Sequence, residues 1–193
     1  MVVLIGFLLL LNLVISIWNS YAAGITLAEA RVLRGFPLLL NWSARVMSIC
    51  GFTYVFAILL TMFLSSIGQI DAETAEGVFS MTYIAVIVPV VGFGLVITIH
   101  SWKVAYETRH PIAIGLAGWN TFATAYNTVR AFTMVPKAYS SIIKLGSGKT
   151  KVVIFLVATA AFLAIICSNS IVAYAARNHA DFKLKEKPKR SLA

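Results

Sequence analysis

Charged side chains are scarce in this chain, and long stretches of it lack them altogether. Asp, Glu, Lys and Arg make up 12% of the 193 residues, about half the fraction found in an ordinary soluble domain. The mean hydropathy is +0.87. This composition argues against a soluble domain and indicates a protein of the lipid bilayer.

Cysteine is also scarce, with two residues in the whole chain. Cys50 and Cys167 both lie inside apolar runs, which argues against a disulfide framework. Buried cysteine usually behaves as a small apolar residue. We therefore expect both thiols to serve packing.

Acidic residues are few, and the net charge is +9. The basic residues fall in the connections and the tail, where anionic lipid headgroups and the positive-inside rule account for them. No basic stripe interleaved with exposed aromatic residues is present. Lipid is therefore the expected partner, and nucleic acid is not.

The motifs that would announce an enzyme are missing as well. His100, His110 and His179 occur in no zinc-binding spacing, so no metal is expected. His100 and His179 fall at the ends of two helices that run the same way in a five-span chain, which makes haem ligation a weak alternative. No serine has a histidine in a predictable position. We predict a non-enzyme without a cofactor.

One segment resembles the end of a phosphate-binding loop, Gly146-Ser147-Gly148-Lys149-Thr150. The full pattern needs glycine where Ile143 stands and a preceding strand, so nucleotide is not an expected partner. A milder hypothesis remains. Backbone amides at this helix start, with Lys149 and Lys151, are predicted to bind the phosphate of an anionic lipid.

Four long apolar runs are the dominant feature of the chain. A membrane-spanning helix needs about 20 mostly apolar residues, and each run is long enough. Backbone groups in lipid must be paired within the segment, so these runs predict helices packed in a bundle. The first run ends in a stretch typical of a signal-peptide cleavage site but lacks a basic start, and we interpret it as a retained span. The runs are Val2 to Ala28, Val46 to Gln69, Val78 to Trp102 and Val152 to Ala176.

A fifth span is predicted from Pro111 to Val129, which is uncharged but contains Asn120 and Asn127. With five spans, the amino terminus lies outside and the basic tail lies in the cytoplasm, as the positive-inside rule favours. With four, the tail would have to be translocated. The alternative makes Pro111 to Pro136 an interfacial or re-entrant helix. The prediction is therefore an all-α integral membrane protein with residues 1–176 as one domain and 177–193 as a cytoplasmic tail.

The chain contains a short internal similarity. Trp18-Asn19-Ser20-Tyr21-Ala22 recurs as Trp119-Asn120-Thr121-Phe122-Ala123, and a proline and basic residues follow each copy. Two related helical hairpins facing opposite ways would be the inverted repeat of many transporters. Chance similarity between apolar helices is the alternative.

Two polar stripes are the candidate functional residues. Their members share the spacing i, i+4, i+7, which places each set on one helix face. Such residues join helices by hydrogen bonds or line a polar path. The first stripe is Asn12, Ser16 and Asn19, and the second is Asn120, Thr124 and Asn127.

The sequence supports a non-catalytic subunit or scaffold of a membrane assembly, acting through helix contacts with copies of itself or with other subunits. The alternative is a small oligomeric channel or transporter with an uncharged polar pathway. The lack of charge within the predicted spans favours the first, since coupled transport usually needs an ionisable residue. The plasma membrane is the expected location.

Overall fold

The computed structural model describes residues 2–29 and 33–186, with side chains for residues 6–29 and 33–180. It contains five helices, and the described residues contain no strand. The helices are α1 (Val2–Glu29), α2 (Phe36–Ser66), α3 (Ala72–Thr108), α4 (Pro111–Lys144) and α5 (Ser147–Glu186). The predicted all-α membrane fold is confirmed.

Local sequence signals set the helix boundaries. Gly35, with φ +60°, precedes α2, and a proline at its first turn fits the free amide positions there. The Asp71 side chain accepts a hydrogen bond of 2.8 Å from the Thr74 amide and caps α3. Arg109, in the left-handed region, ends α3, and Pro111 begins α4. The connection between α3 and α4 is therefore a tight turn.

Successive helices run in opposite directions. At one end, Asn41 of α2 donates to the Ala23 carbonyl of α1 over 2.8 Å, and His179 of α5 lies 3.2 Å from Glu29. We call this the tail end. At the other, the Asp71 end, Ser141 of α4 donates to Glu76 of α3 over 2.8 Å.

The bundle has two parts. Helices α1, α2 and α5 pack against one another and form the three-helix core. Helix α3 packs on α2 and on part of α5, and α4 packs along α3; we call this pair the α3–α4 arm. Where the two parts meet, an apolar cluster fills the Asp71 end. Its buried members are Ala57, Val78, Leu145, Val153, Leu156, Val157 and Ala160.

Four helices, α1, α2, α3 and α5, are long and apolar enough to cross a membrane. They correspond to the four predicted runs. Each helix is longer than its run, and α2 begins at Phe36 and ends at Ser66, before the predicted Gln69. Helix α5 extends to Glu186, well into the segment predicted to be the tail. The tail residues from Lys187 onward lie outside the described residues.

Helix α4 is not among the helices that are apolar enough to cross a membrane. However, it runs antiparallel to α3 over nearly its whole length. It is one continuous helix through Pro136. The helix therefore continues fifteen residues beyond the predicted end of the span at Val129. The arrangement agrees with five spans.

The two faces of α4 explain its low average hydropathy. Small and polar residues recur every three or four positions and face α3, where they are buried or half-buried. They are Ala113, Ala117, Asn120, Thr124, Asn127, Ala131, Met134, Ala138 and Ser141. Large apolar residues such as Trp119, Phe122 and Phe132 are exposed on the other faces. An apolar outer face and a polar inner one suit a helix covered by protein on one side and lipid on the other.

The packing does not reproduce two equivalent hairpins. Helices α1 and α4 run in opposite directions, as inverted copies would. However, α1 packs against both α2 and α5, whereas α4 packs along α3 and not along α5. Ser20 is fully buried, while its counterpart Thr121 is exposed. The similarity between the two segments is therefore not matched by their surroundings.

Candidate functional site

The first polar stripe, on α1, is only partly buried in the three-helix core. Ser16 is buried and its hydroxyl donates to the Asn12 carbonyl one turn away, over 2.7 Å. The Asn12 amide donates to the Leu8 carbonyl of its own helix over 3.3 Å. Asn19 is half-buried and makes no hydrogen bond to the described residues. Of this stripe, Ser16 is the residue that contacts a neighbouring helix.

A cluster of serines joins the three core helices, and the sequence analysis missed it. Ser20 of α1 lies 2.5 Å from Ser48 of α2 and 2.8 Å from Ser168 of α5, measured between hydroxyl oxygens. Ser48 is also 2.7 Å from the Ser16 carbonyl. All four are buried. Each hydroxyl therefore has a protein partner, as buried polar groups in a membrane require.

Close helix contacts leave no room for a pathway at this level of the core. A Cβ atom on Gly51 would lie 2.0 Å from the Ser16 hydroxyl oxygen, and one on Gly24 would lie 2.5 Å from the Val172 carbonyl. Small residues allow this approach. On α5, Ala175 lies against Gly24 and is fully buried, as is Ser168.

The α4 stripe faces α3. The Asn120 amide donates to the Ser101 hydroxyl over 2.6 Å, and the Thr124 and Thr98 hydroxyls are 3.0 Å apart. Asn127 makes no hydrogen bond to the described residues. The two predicted stripes thus pack on different helices, and neither stripe lies against the other.

Arg130 lies near the middle of the bundle, not outside it as a span ending at Val129 implies. Thr124 lies against Gly94, and Ser141 bonds Glu76 farther along. Because α3 and α4 are antiparallel, each step forward on α4 is matched by a step back on α3. Arg130 is therefore level with residue 88 of α3 when counted from the first pair and with residue 87 when counted from the second. That is within about 4 Å of the midpoint of α3, given a rise of 1.5 Å per residue. Arg130 is therefore a charge at the middle of the bundle that the argument from uncharged spans did not include.

The surroundings of Arg130 are aromatic. Its guanidinium lies 5.8 Å from the centre of the Tyr126 ring, one turn away on α4, a geometry that favours a cation. It also lies near the hydroxyl of Tyr83 on α3. The Tyr83 hydroxyl oxygen is buried and has no hydrogen-bond partner in the described structure.

Among the side chains that the structure describes, no carboxylate pairs with this cation. The chain has seven acidic residues, and all of them lie toward the two ends of the bundle. They are Glu29, Asp71, Glu73, Glu76, Glu107, Asp181 and Glu186. Among the described side chains, those of Lys103, Lys149 and His179 form ion pairs, and that of Arg130 forms none. An intramembrane cation without a counter-charge is a candidate functional residue.

Arg130 begins a line of basic residues along one flank of α4. Lys137 and Lys144 follow at intervals of seven residues, which is close to two helical turns, so the three share a face. The line leads from the middle of the bundle to the Asp71 end. We call it the basic flank.

Lys149 has a different environment from the one predicted. Its ammonium donates to Asp71 over 2.6 Å and also contacts Glu73. The bond from Lys149, with that from Thr74, holds the pKa of Asp71 well below its usual range. A lipid phosphate at Lys149 would compete with two carboxylates, whereas Lys151 is exposed.

Polar residues at the tail end also find partners. Arg45 donates to the Asn169 side-chain oxygen over 2.8 Å and lies over the Trp42 ring. His179 pairs with Glu29, and the His100 ring packs 6.2 Å from that of Phe36. The described residues contain no group of three or more His, Cys, Asp or Glu placed to hold a metal ion. The contact of Arg45 with Trp42 lies within α2, and the other three side-chain contacts each join two helices.

These features leave the α3–α4 arm as the candidate site, with Arg130, Tyr126 and Tyr83 at its centre. Comparison of the chain with family models, with curated proteins and with solved structures found no match.

Proposed function

We propose that this protein is a non-catalytic subunit of a membrane assembly and that α4 is the helix that contacts the other subunits. The observation that carries the proposal is Arg130, a half-buried cation near the middle of the bundle with no carboxylate among the described residues. Charged groups at this depth usually pair with another charge. A neighbouring subunit would supply it.

The position of α4 supports the same proposal. It packs on α3 alone, so most of its surface is open to lipid or protein. Tyr126, which contacts the Arg130 guanidinium, is 51% exposed. The basic flank is therefore accessible from the side of the bundle. A partner helix could reach it without any change in the three-helix core.

A small oligomeric channel or transporter is the second candidate, and Arg130 is also the observation that favours it. In that case the cation would face water between protomers and attract an anion. A pathway through one protomer is disfavoured, because Gly24 and Gly51 bring the core helices into close contact. Modification of a cysteine placed at Ala123, seven residues from Arg130, by a charged thiol reagent would favour this candidate over the subunit.

Photo-crosslinking in the native membrane tests the subunit proposal. A photoreactive amino acid at Tyr126 should give protein crosslinks of defined mass, and one at Phe155, exposed on α5, should react mainly with lipid. Copies of this chain in the product would identify a homo-oligomer, and other masses would identify other subunits. Equal lipid labelling at both positions would refute the proposal.

We also propose that the tail end faces the cytoplasm of a cell whose plasma membrane holds the protein. Arg34, Arg45, Arg109 and Arg177 lie at this end, whereas Asp71, Glu73 and Glu76 lie together at the Asp71 end. The test uses a background in which Cys50 and Cys167 are replaced by alanine. An impermeant thiol reagent should label a cysteine at Ala75 in intact cells and fail to label one at Ser191. The reverse pattern would invert the topology.

A further inference from the structure

A guanidinium and a phenol meet beside the basic flank with no anionic acceptor among the described residues. Arginine carries five N–H donors and no acceptor, and the tyrosine hydroxyl both donates and accepts. The Arg130 guanidinium lies near enough to the Tyr83 hydroxyl to interact with its oxygen, and within the described residues the buried Tyr83 hydroxyl has no acceptor for its own proton. An anionic acceptor placed between them would satisfy both groups.

A carboxylate is the acceptor that best fits this position. Its two oxygens can accept from the guanidinium and from the phenol at the same time, and charge-assisted bonds of this kind are strong. The aromatic ring of Tyr126 beside the guanidinium excludes water from one side of the pair. The basic flank adds Lys137 and Lys144 toward the Asp71 end, which increases the attraction for a negatively charged partner.

Within the described residues, no carboxylate of this chain lies at the level of Arg130, and a second copy in the same orientation would have its acidic residues at the same two ends. The seven acidic residues lie toward the ends of the bundle, and none lies within the middle of a helix. A lipid phosphate is also poorly placed. Arg130 is eleven residues from Ser141, the residue of α4 that bonds Glu76 at the Asp71 end, which is roughly 16 Å along the helix.

We propose that a carboxylate on a transmembrane helix of a different protein binds between the Arg130 guanidinium and the Tyr83 hydroxyl. The partner helix lies along the basic flank of α4, and its Asp or Glu is near the middle of its span. The inference rests on the proposed function as a subunit and adds the chemistry of the partner.

The test uses the full-length protein in phosphatidylcholine nanodiscs and a synthetic probe. The probe is a labelled Leu/Ala helix of about 22 residues with one Glu at its centre, and the matched control has Gln there. Energy transfer measures association. We expect the Glu peptide to bind about tenfold more tightly than the Gln peptide. Arg130→Met should abolish this difference, and Lys137→Met should preserve most of it.

Two further variants keep the proposal testable if Arg130→Met fails to fold. Arg130→Lys retains the charge but loses the planar fork, so part of the preference should remain. Tyr83→Phe removes one donor and should reduce the preference by about threefold. An infrared band of an isotope-labelled Glu side chain provides a readout that packing alone would not change. It should report an ionised carboxylate with the unmodified protein and a protonated one with Arg130→Met.

Several outcomes would overturn the inference. One is equal binding of the two peptides, and another is a preference that survives Arg130→Met. Loss of the preference in millimolar acetate would identify a site for a soluble anion, and loss on adding phosphatidylserine would identify a lipid site. If the Tyr126 crosslinks to protein persist while the peptides bind equally, the subunit proposal stands and the carboxylate inference alone fails.

Discussion

The three-helix core and the α3–α4 arm both contain buried polar groups inside a membrane bundle, but they satisfy them differently. In the core, Ser20, Ser48 and Ser168 bond one another, and glycine at positions 24 and 51 brings the helices close together. In the arm, Asn120 and Thr124 are bonded to α3, but Tyr83 and Arg130 are not fully paired. A closed network indicates internal packing, and an open one indicates a missing partner. The following changes test this contrast, from the largest expected effect to the smallest.

Gly51→Ala should have a larger effect than the other changes below. The new Cβ would lie 2.0 Å from the Ser16 hydroxyl oxygen, so the hydroxyl must give up its bond to the Asn12 carbonyl or α1 and α2 must move apart. Overpacking of this kind costs about 1–3 kcal/mol in the free energy of unfolding, measurable by steric trapping in bicelles. The control is Gly92→Ala, where nothing lies within 4 Å. Ser16→Ala should restore much of the loss, and no rescue would contradict the proposed contact.

Ser20→Ala should have a smaller effect, because it removes hydrogen bonds without a clash. Its hydroxyl connects Ser48 and Ser168, and the Ser168 hydroxyl would lose its partner. Interhelical bonds of this type are worth about 1 kcal/mol in membranes, and the same unfolding measurement applies. Ser140, exposed on α4, bonds only within its own helix and serves as the matched control. Equal effects of the two substitutions would refute a special role for the cluster.

Asn120→Ala should weaken the packing of α4 on α3, because it removes the 2.6 Å hydrogen bond to Ser101. The expected loss of packing free energy is about 0.6 kcal/mol, near the average for such bonds. Asn127→Ala, at an equivalent position on the same face, should change less because Asn127 has no hydrogen bond to the described residues. A spin label on α4 would report its distance from α2 in each variant. A larger effect at Asn127 would indicate that this amide bonds a partner outside the chain.

Acidification should give the weakest effect, at the exposed contact of Asp71 with Lys149. Because the pKa of Asp71 is lowered by this bond, its contribution to stability is present above the ordinary Asp value of about 3.9. It is lost as the pH falls below that value toward the folded-state pKa. The free energy of unfolding of Asp71→Asn should therefore be lower than that of the unmodified protein at pH 6. The two values should converge at the lowest pH, in the same unfolding measurement. A constant difference across this range would contradict the prediction.

Sequence reasoning predicted most of the fold, since an apolar run of about 20 residues has few stable alternatives in lipid. It recognised α4 as a span but ended it at Val129. The reason is that Arg130 was interpreted as the edge of the membrane, although a long polar side chain can lie inside a bundle when protein surrounds it. The low average hydropathy of α4 does not reveal that its outer face is apolar and its inner face is polar.

The candidate site was harder to predict. The polar stripe at Asn120 and Thr124 was visible because its members share one helix. The serine cluster was not, because its members come from three helices and each serine alone is unremarkable in a membrane helix. The basic flank has regular seven-residue spacing and could have been found from the sequence if α4 had been extended to Lys144.

Composition and periodicity alone determine that this chain is an all-helical membrane protein with four evident spans, because bilayer thickness and backbone hydrogen bonding permit little else. They do not determine which helices touch. That depends on matching small residues, such as Gly24 and Gly51, against neighbours far away in the chain. Tertiary packing placed Arg130 beside Tyr83 near the middle of the bundle, while the serines of the core became a closed network. The position of the Arg130 charge along the bundle can be stated only once the register of α4 on α3 is known.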